Sequence, residues 1–235
     1  PANVCRKKKD SSMVVGLRML SEGQADAFIS AGSTGALLSG ATLIVKRVKG
    51  IRRAAMGPAM PNKAGGKTIL LDCGANAECT PEFLLQFGIV GSLYAKKSLG
   101  IENPRVGLLN IGTEDSKGGE LQHQAFALLK KAHDEGRIHF VGNVEGTGVF
   151  TGAADVVVTD GFTGNVMLKT TEGTIKFIMK ALKETFYKST KNKLAAAVLK
   201  NDLAEMKRSM DPNEVGGTAL VGISRPVIKA HGSSS

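Results

Sequence analysis

The chain has 235 residues, a net charge of +10, 42% hydrophobic residues and no tryptophan. It is long enough for a sizeable core, and too poor in aromatic residues and recognition patterns for nucleic acid to be a partner. Cys5, Cys73 and Cys79 lack metal-ligand spacing and fit a reducing compartment. No stretch is apolar enough to span a bilayer and no signal peptide is read, so the positive charge points to an anionic membrane, acidic partners or acidic substrates.

In chain order, a basic stretch over 1–12 leads to a helix at Met13–Ser21, capped by Ser11 or Ser12. A strand is predicted at about Ala25–Ser30 and a helix at Gly35–Val48. Arg53–Pro61 reads as extended and Asn62–Gly66 as a turn. Strand Thr68–Cys73 precedes a helix from Pro81, a favoured first helical residue, to Ser98. Strand Val106–Ile111, helix Lys117–His133, strand Ile138–Val141, strand Asp155–Thr159 and a helix over Gly164–Tyr187 follow. The alternation predicts a single α/β domain over 1–235, a doubly wound, mainly parallel sheet with right-handed crossovers. A final short strand ends at Lys229-Ala230-His231.

Six of the apolar runs stop at glycine and small polar residues. They end at Ser30–Gly35, Cys73–Asn76, Asn110–Glu114, Asn143–Gly146, Asp160–Asn165 and Lys229–Ser233. Ligands of an open α/β sheet bind beyond the carboxyl ends of its strands, so these ends suggest one polar crevice suited to an anion. The 29 glycines are explained by such turns, where backbone comes close to another group.

Generic signatures are missing: no G-x-G-x-x-G, no P-loop, no G-x-S-x-G and no His/Cys cluster at metal spacing. No cofactor or metal is expected. Ser30, Gly32, Ser33, Thr34 and Gly35 join a strand to a helix start, which either holds phosphate on backbone N–H groups or is a plain turn with hydroxyl caps. Asp160, Gly164 and Asn165 repeat the arrangement. Lys169 lies on the same helical face as Asn165, where a cation opposes the helix dipole and an anionic ligand would account for it. Lys229 and His231 share one side of the last strand. Asn76, Asn110, Thr113, Asn143 and Glu145 sit at the other strand ends as ligand contacts or turn-formers.

Residues 176–208 differ in character. They read as two helices broken near 189–192, with nine lysines and arginines against three acids. Leu194, Val198 and Leu199 lie in a small apolar run among the basic residues. Such a hairpin suits an anionic membrane surface, or else packs on itself or on a second subunit.

The segments KKDSSMVVGLRML, ADAFISAGSTGALLSGATLIV, LLDCGANAECTPEFLLQF, ENPRVGLLNIGTE, NVEG, DVVVTDGFTGNVMLKTTEG and VIKAHGSS resemble the PlsX family of phosphate acyltransferases, from about Arg6 to Ser234. The resemblance implies a fold like that of phosphotransacetylases and isopropylmalate dehydrogenases. It also implies a homodimer at the inner face of the cell membrane. The implied reaction passes a long-chain acyl group from acyl carrier protein (ACP) to inorganic phosphate, yielding acyl phosphate for phospholipid synthesis. The hairpin looks like the family's membrane-contacting element. Ser33 stands where the family usually carries Asn, and Thr147 where Arg often follows N-V-E-G. The family normally begins with a further D-x-M-G-G-D-like strand end before the first matching segment, so a catalytically impaired fragment is one alternative and use of acyl-CoA another.

The expected mechanism is direct transfer. Phosphate lies against Ser30–Gly35 and Gly164–Lys169, its charge offset by Lys169 and Lys229. Asn165, Asn143 and His231 are candidate oxyanion donors, and Asp160 orients phosphate or accepts a proton. An acyl intermediate on Cys73 is the less favoured route.

Overall fold

The computed structural model describes residues 5, 7–210 and 217–230. Its strands form two sheets. The first runs β1 (Phe28–Ser30), β9 (Val227–Lys229), β8 (Thr218–Val221), β2 (Ala55–Gly57), with β1 and β9 parallel and the other pairs antiparallel. The second runs β3 (Ala59–Pro61), β4 (Lys67–Leu71), β7 (Val156–Val158), β5 (Arg105–Leu109), β6 (His139–Val144), with only the β3–β4 pair antiparallel.

The expected α/β fold with parallel strands is present, but its strands are divided between two sheets. The division lies inside the segment read as extended. Pro58, which has no N–H to offer a ladder, separates β2 from β3. Consecutive strands therefore pair in different sheets.

The central strands of the second sheet are continuous apolar runs because both faces are covered. Ile69, Leu70 and Leu71 and all three residues of β7 are fully buried. One face packs on α3 (Pro81–Leu99) and α4 (Glu120–Asp134) through Leu84, Phe87 and Leu129. The other face contributes Leu70, Val157, Leu109 and Val144 to a second cluster. That cluster takes in Leu17 of α1 (Ser12–Ser21), Leu37 of α2 (Thr34–Gly40), Val149 of α5 (Gly146–Thr151) and Leu168 of α6 (Gly161–Tyr187). Val227 of the first sheet belongs to it too, so one apolar core underlies both sheets.

Several element boundaries shift. The predicted strand Ala25–Ser30 is ordered as strand only over its last three residues, and the helix predicted to reach Val48 passes into a π-helical turn, Ala41–Val45. α4 starts three residues later than predicted, beyond Gly118 in its left-handed conformation. β6 runs to Val144, and α5 and β8 were not read from the sequence. α6 begins at Gly161, because Asp160 caps it. The basic segment continues from α6 into α7 (Thr190–Val198) and α8 (Lys200–Met210), three helical pieces instead of two.

Candidate functional site

The strand ends meet in neighbouring pairs. β4 and β7 are adjacent and parallel, so the turns after them touch: Gly161 N donates to Asn76 O at 2.8 Å. β5 and β6 bring their ends together in the same way, Asn110 N donating to Val144 O at 2.9 Å. In the first sheet Ser30 pairs with Lys229 across β1 and β9.

Asp72, absent from the sequence-based candidates, organises the first pair. It follows β4 directly, across a cis Leu71–Asp72 peptide, and is fully buried. One carboxylate oxygen accepts from Met56 N at 2.7 Å and Ala75 N at 3.2 Å. The other accepts from Asn76 N at 2.6 Å and the Asn76 side-chain amide at 3.0 Å. Burial raises its pKa, and the hydrogen bonds from Met56, Asn76 and Ala75 only partly offset this. The Asn76 amide also donates to Ala54 O at 2.8 Å, so both of its hydrogens hold the turn. An acid directly after T-I-L-L and before a glycine was the available signal for Asp72: a charge at a buried strand end must be hydrogen-bonded.

α6 is seated on this turn. A Cβ on Gly164 would lie 2.0 Å from Asp72 O, and one on Gly161 would lie 2.4 Å from Asn76 O, so no other residue fits at either place. Asp160 spends both oxygens on Thr163, accepting from its backbone N at 2.8 Å and its hydroxyl at 2.7 Å. It is a helix cap first, and it places a carboxylate at the end where phosphate was expected. The exposed Asn165 lies over Gly74.

Lys169 stands deeper in its helix than the sequence suggests. With the helix starting at Gly161 it stands in the third turn, and its ammonium binds both oxygens of Glu172 at 2.8 and 3.1 Å. The Glu172 side chain is only 16% exposed. The cation that an anionic ligand was invoked to explain is explained by an i,i+3 carboxylate of the same helix.

At the first sheet, Ser30 Oγ accepts from Gly32 N at 3.1 Å, closing the turn that leads through Ser33 into α2 at Thr34 and Gly35. Neither Ser33 nor Thr34 is buried, and the Ser33 side chain makes no cap bond. The first-turn N–H groups of a helix have no intrahelical acceptor. Lys229 Nζ reaches across from β9 to Ala31 O at 3.3 Å and also meets Ala230 O. The structure thus sets a cation beside a turn of hydroxyls and amides. His231 lies outside the described residues.

The β5 and β6 ends mostly build each other. Asn110 donates to Lys117 O at 2.9 Å and accepts from Ile111 N at 2.8 Å. Thr113 and Glu145 are exposed. Asn143 is 6% exposed and donates to Glu114 O at 2.8 Å, while its Oδ1 is buried without a hydrogen-bond partner, the one such side-chain atom among the described residues. A bulge aims it: β5 steps two residues from Val106 to Leu108 while β6 steps three from Phe140 to Asn143, around Gly142 at φ +92°. A buried acceptor of this kind is ordinarily satisfied by an ordered water.

The thiols are poorly suited to carry an acyl group. Burial pushes Cys79 up to about 11, and Cys73 is also raised, first by burial and then by the Asp72 charge. Among the described residues no group of three His, Cys, Asp or Glu stands close enough to hold a metal ion.

Beyond the sheets, the long end of α6 and α7 are exposed. Leu194 is 67% and Val198 83% accessible, and Phe177 and Tyr187 on α6 are also open. Lys183 and Lys193 lie over the Tyr187 ring at 5.9 and 5.7 Å, and Ser189 caps α7 through Asn192 N. No helix among the described residues is long and apolar enough to cross a membrane.

Comparison with known proteins places these features in a family. Residues 1–235 match the family described as Fatty acid synthesis protein. The phosphate acyltransferase of Bacillus cytotoxicus is 52% identical over 235 residues, covering 100% of this chain and 70% of that protein. Among solved structures, the EutD phosphotransacetylase from Staphylococcus aureus aligns with a TM-score of 0.57 at 21% identity, over 94% of this chain and 62% of that one. A branched-chain phosphotransacylase from Enterococcus faecalis aligns with a TM-score of 0.55 at 17% identity, over 96% of this chain and 75% of that one. At those identities the two structures speak to the fold, which they share.

Proposed function

This chain belongs to the phosphate acyltransferase family of fatty acid synthesis proteins and is an acyltransferase, and we propose that it moves a long-chain acyl group from acyl carrier protein to inorganic phosphate. The products are acyl phosphate, which feeds phospholipid synthesis, and the free carrier thiol. Lys229 beside the Ser30–Gly35 turn is the observation that carries the phosphate site. Phosphate sits on the first-turn N–H groups of α2 and the hydroxyls of Ser33 and Thr34, with its charge offset by Lys229.

A phosphate oxygen attacks the thioester carbonyl carbon. The new C–O bond forms, the C–S bond breaks, and its electron pair leaves on sulfur, which takes up a proton to become the carrier thiol. Asn165 donates to the developing oxyanion. The raised thiol pKa values favour this direct route over an acylated cysteine. The exposed apolar residues of α7 rest on an anionic membrane surface, with the chain acting as a homodimer at the inner face of the cell membrane.

Incubation with acyl-ACP and phosphate tests the proposal. Acyl phosphate, followed by phosphorus NMR, forms in equal amount with free carrier thiol. Thiol release without acyl phosphate would make the chain a thioesterase and overturn the reading.

A further inference from the structure

The loop between the π-helical turn and β2 carries Lys46, Arg47, Lys49, Arg52 and Arg53, all exposed, with no acid among residues 46–53. None of the five is ion-paired with a carboxylate among the described residues. Arg52 acts on the exposed Glu82 only at a distance, as the least of the influences on that carboxyl. Unpaired like charges crowded on one loop repel one another, so the chain gains nothing in stability from keeping them together.

Backbone and neutral groups hold the loop. Val48 N donates to Gly222 O at 3.0 Å, Ser224 N to Lys46 O at 3.0 Å, and Ile51 N to Val48 O at 3.0 Å. Gln86 of α3 clasps the loop from the side, accepting from Arg52 N at 2.8 Å and donating to Gly50 O at 3.0 Å. Lys46 is held at φ +71°, the one non-glycine residue with positive φ among the described residues, a conformation that persists where the surroundings over-determine it. Apart from Arg47, which donates to Arg52 O, and Arg53, which lies over the Phe83 ring at 5.6 Å, the cationic heads take no part in this framework. The loop is a preformed cationic surface.

Its position joins it to the site. Ala54, next to Arg53, accepts from the Asn76 amide at 2.8 Å, and Asn76 is bound in turn to Asp72. The loop also exposes an apolar side chain, Val48 at 47%, among its cations, the mixture of residues found at protein interfaces. The α7 tip differs, with Val198 at 83% and little charge between its apolar residues.

We propose that the Lys46–Arg53 loop docks the acidic face of the carrier protein that brings the acyl thioester. This rests on the carrier being the acyl donor. The carrier's negative surface pairs with Lys46, Lys49 and Arg52, and its acyl arm then enters beside the Asp72–Asn76 turn. Charge complementarity of this kind steers encounter and fixes orientation.

The test is the double variant Lys49→Glu/Arg52→Glu, with Lys130→Glu/Lys131→Glu on α4 as control. Binding of acyl-ACP is read by fluorescence anisotropy, which needs no turnover, and kcat/KM is measured with acyl-ACP and with a neutral acyl-pantetheine thioester. Carrier affinity and kcat/KM with acyl-ACP are expected to fall about tenfold or more in the loop variant alone, while acyl-pantetheine turnover and flotation with anionic vesicles stay unchanged. Unchanged carrier affinity overturns the proposal. So does an equal loss with acyl-pantetheine, which would mean a damaged site, or a loss of vesicle binding in its place, which would assign the loop to lipid. If the parent chain binds the carrier through this loop yet forms no acyl phosphate, the docking surface stands and the proposed reaction falls.

Discussion

Lys169 binds Glu172, one turn further along α6, through both carboxylate oxygens at 2.8 and 3.1 Å. A lysine already paired with a mostly buried carboxylate is poorly placed to bind phosphate, whereas the partners of Lys229 among the described residues are carbonyl oxygens. Lys229→Ala is therefore expected to raise KM for phosphate by roughly 10–100-fold, the loss of one charge-assisted contact, with Lys169→Ala changing it less than about threefold. Initial rates over a phosphate series check this, and the reverse order would return the phosphate to the start of α6.

Two glycines of α6 have opposite roles. Gly164→Ala drives a methyl group into Asp72 O and should cost about 2–4 kcal/mol or prevent folding. Gly173 has open space around its Cβ position, and Gly173→Ala should stabilise by about 0.5–1 kcal/mol through helix propensity. Urea unfolding of both variants reads the contrast.

With its pKa at about 11, Cys79 holds little thiolate at pH 8. Its alkylation by iodoacetamide should be roughly a hundredfold slower than that of a free thiol, given an ordinary value of about 8.5. Cys79→Ala should keep its acyl phosphate output, and intact-mass spectrometry during turnover should find no acylated protein.

Burial by itself would raise the Asp155 carboxyl, but the Arg105 side chain and backbone hydrogen bonds hold it below its usual range. Arg105 Nη2 and Nε meet its two oxygens at 2.9 and 3.1 Å. A carboxyl lowered in the folded state stabilises above the unfolded value of about 4, and that stability is lost as pH falls through the folded value. Arg105→Met should cost about 1–3 kcal/mol at pH 7, and the gap between variant and parent should narrow as pH falls below the ordinary carboxylate range. Denaturant midpoints at a series of pH values measure it.

Leu194→Glu/Val198→Glu places charge at the exposed tip of α7 and should abolish most flotation with anionic vesicles while leaving the fold intact, since neither side chain is buried. Flotation equal to that of the parent chain would return this tip to ordinary protein surface.

Much of the architecture was legible because burial on both faces writes β4, β5 and β7 as apolar runs, and because Pro81 marks the start of α3. The division into two sheets was not, since Pro58 interrupts a segment whose local pattern stays extended on both sides. The strand ends were found, but the intrachain partners that hold several of their side chains are non-local or one turn away and were not. Glu172 was overlooked beside Lys169, Thr163 claims Asp160, and Met56 and Asn76 satisfy an Asp72 that looked like part of a strand. The cationic loop was split between a helix expected to reach Val48 and an extended stretch from Arg53, which hid five charges in eight residues.

Because β2 and β3 follow one another on either side of Pro58 and serve different sheets, the chain is a covalent strap across the boundary between them. The strap is riveted at the site itself: Met56 N donates to Asp72, and Cys73 N donates back to Met56 O at 3.0 Å. Parting the sheets there would strip a buried carboxylate of a donor, a loss of about 1–3 kcal/mol before any other contact broke. Any opening along this boundary therefore has to break the Met56–Asp72 contact as well as the Cys73–Met56 one.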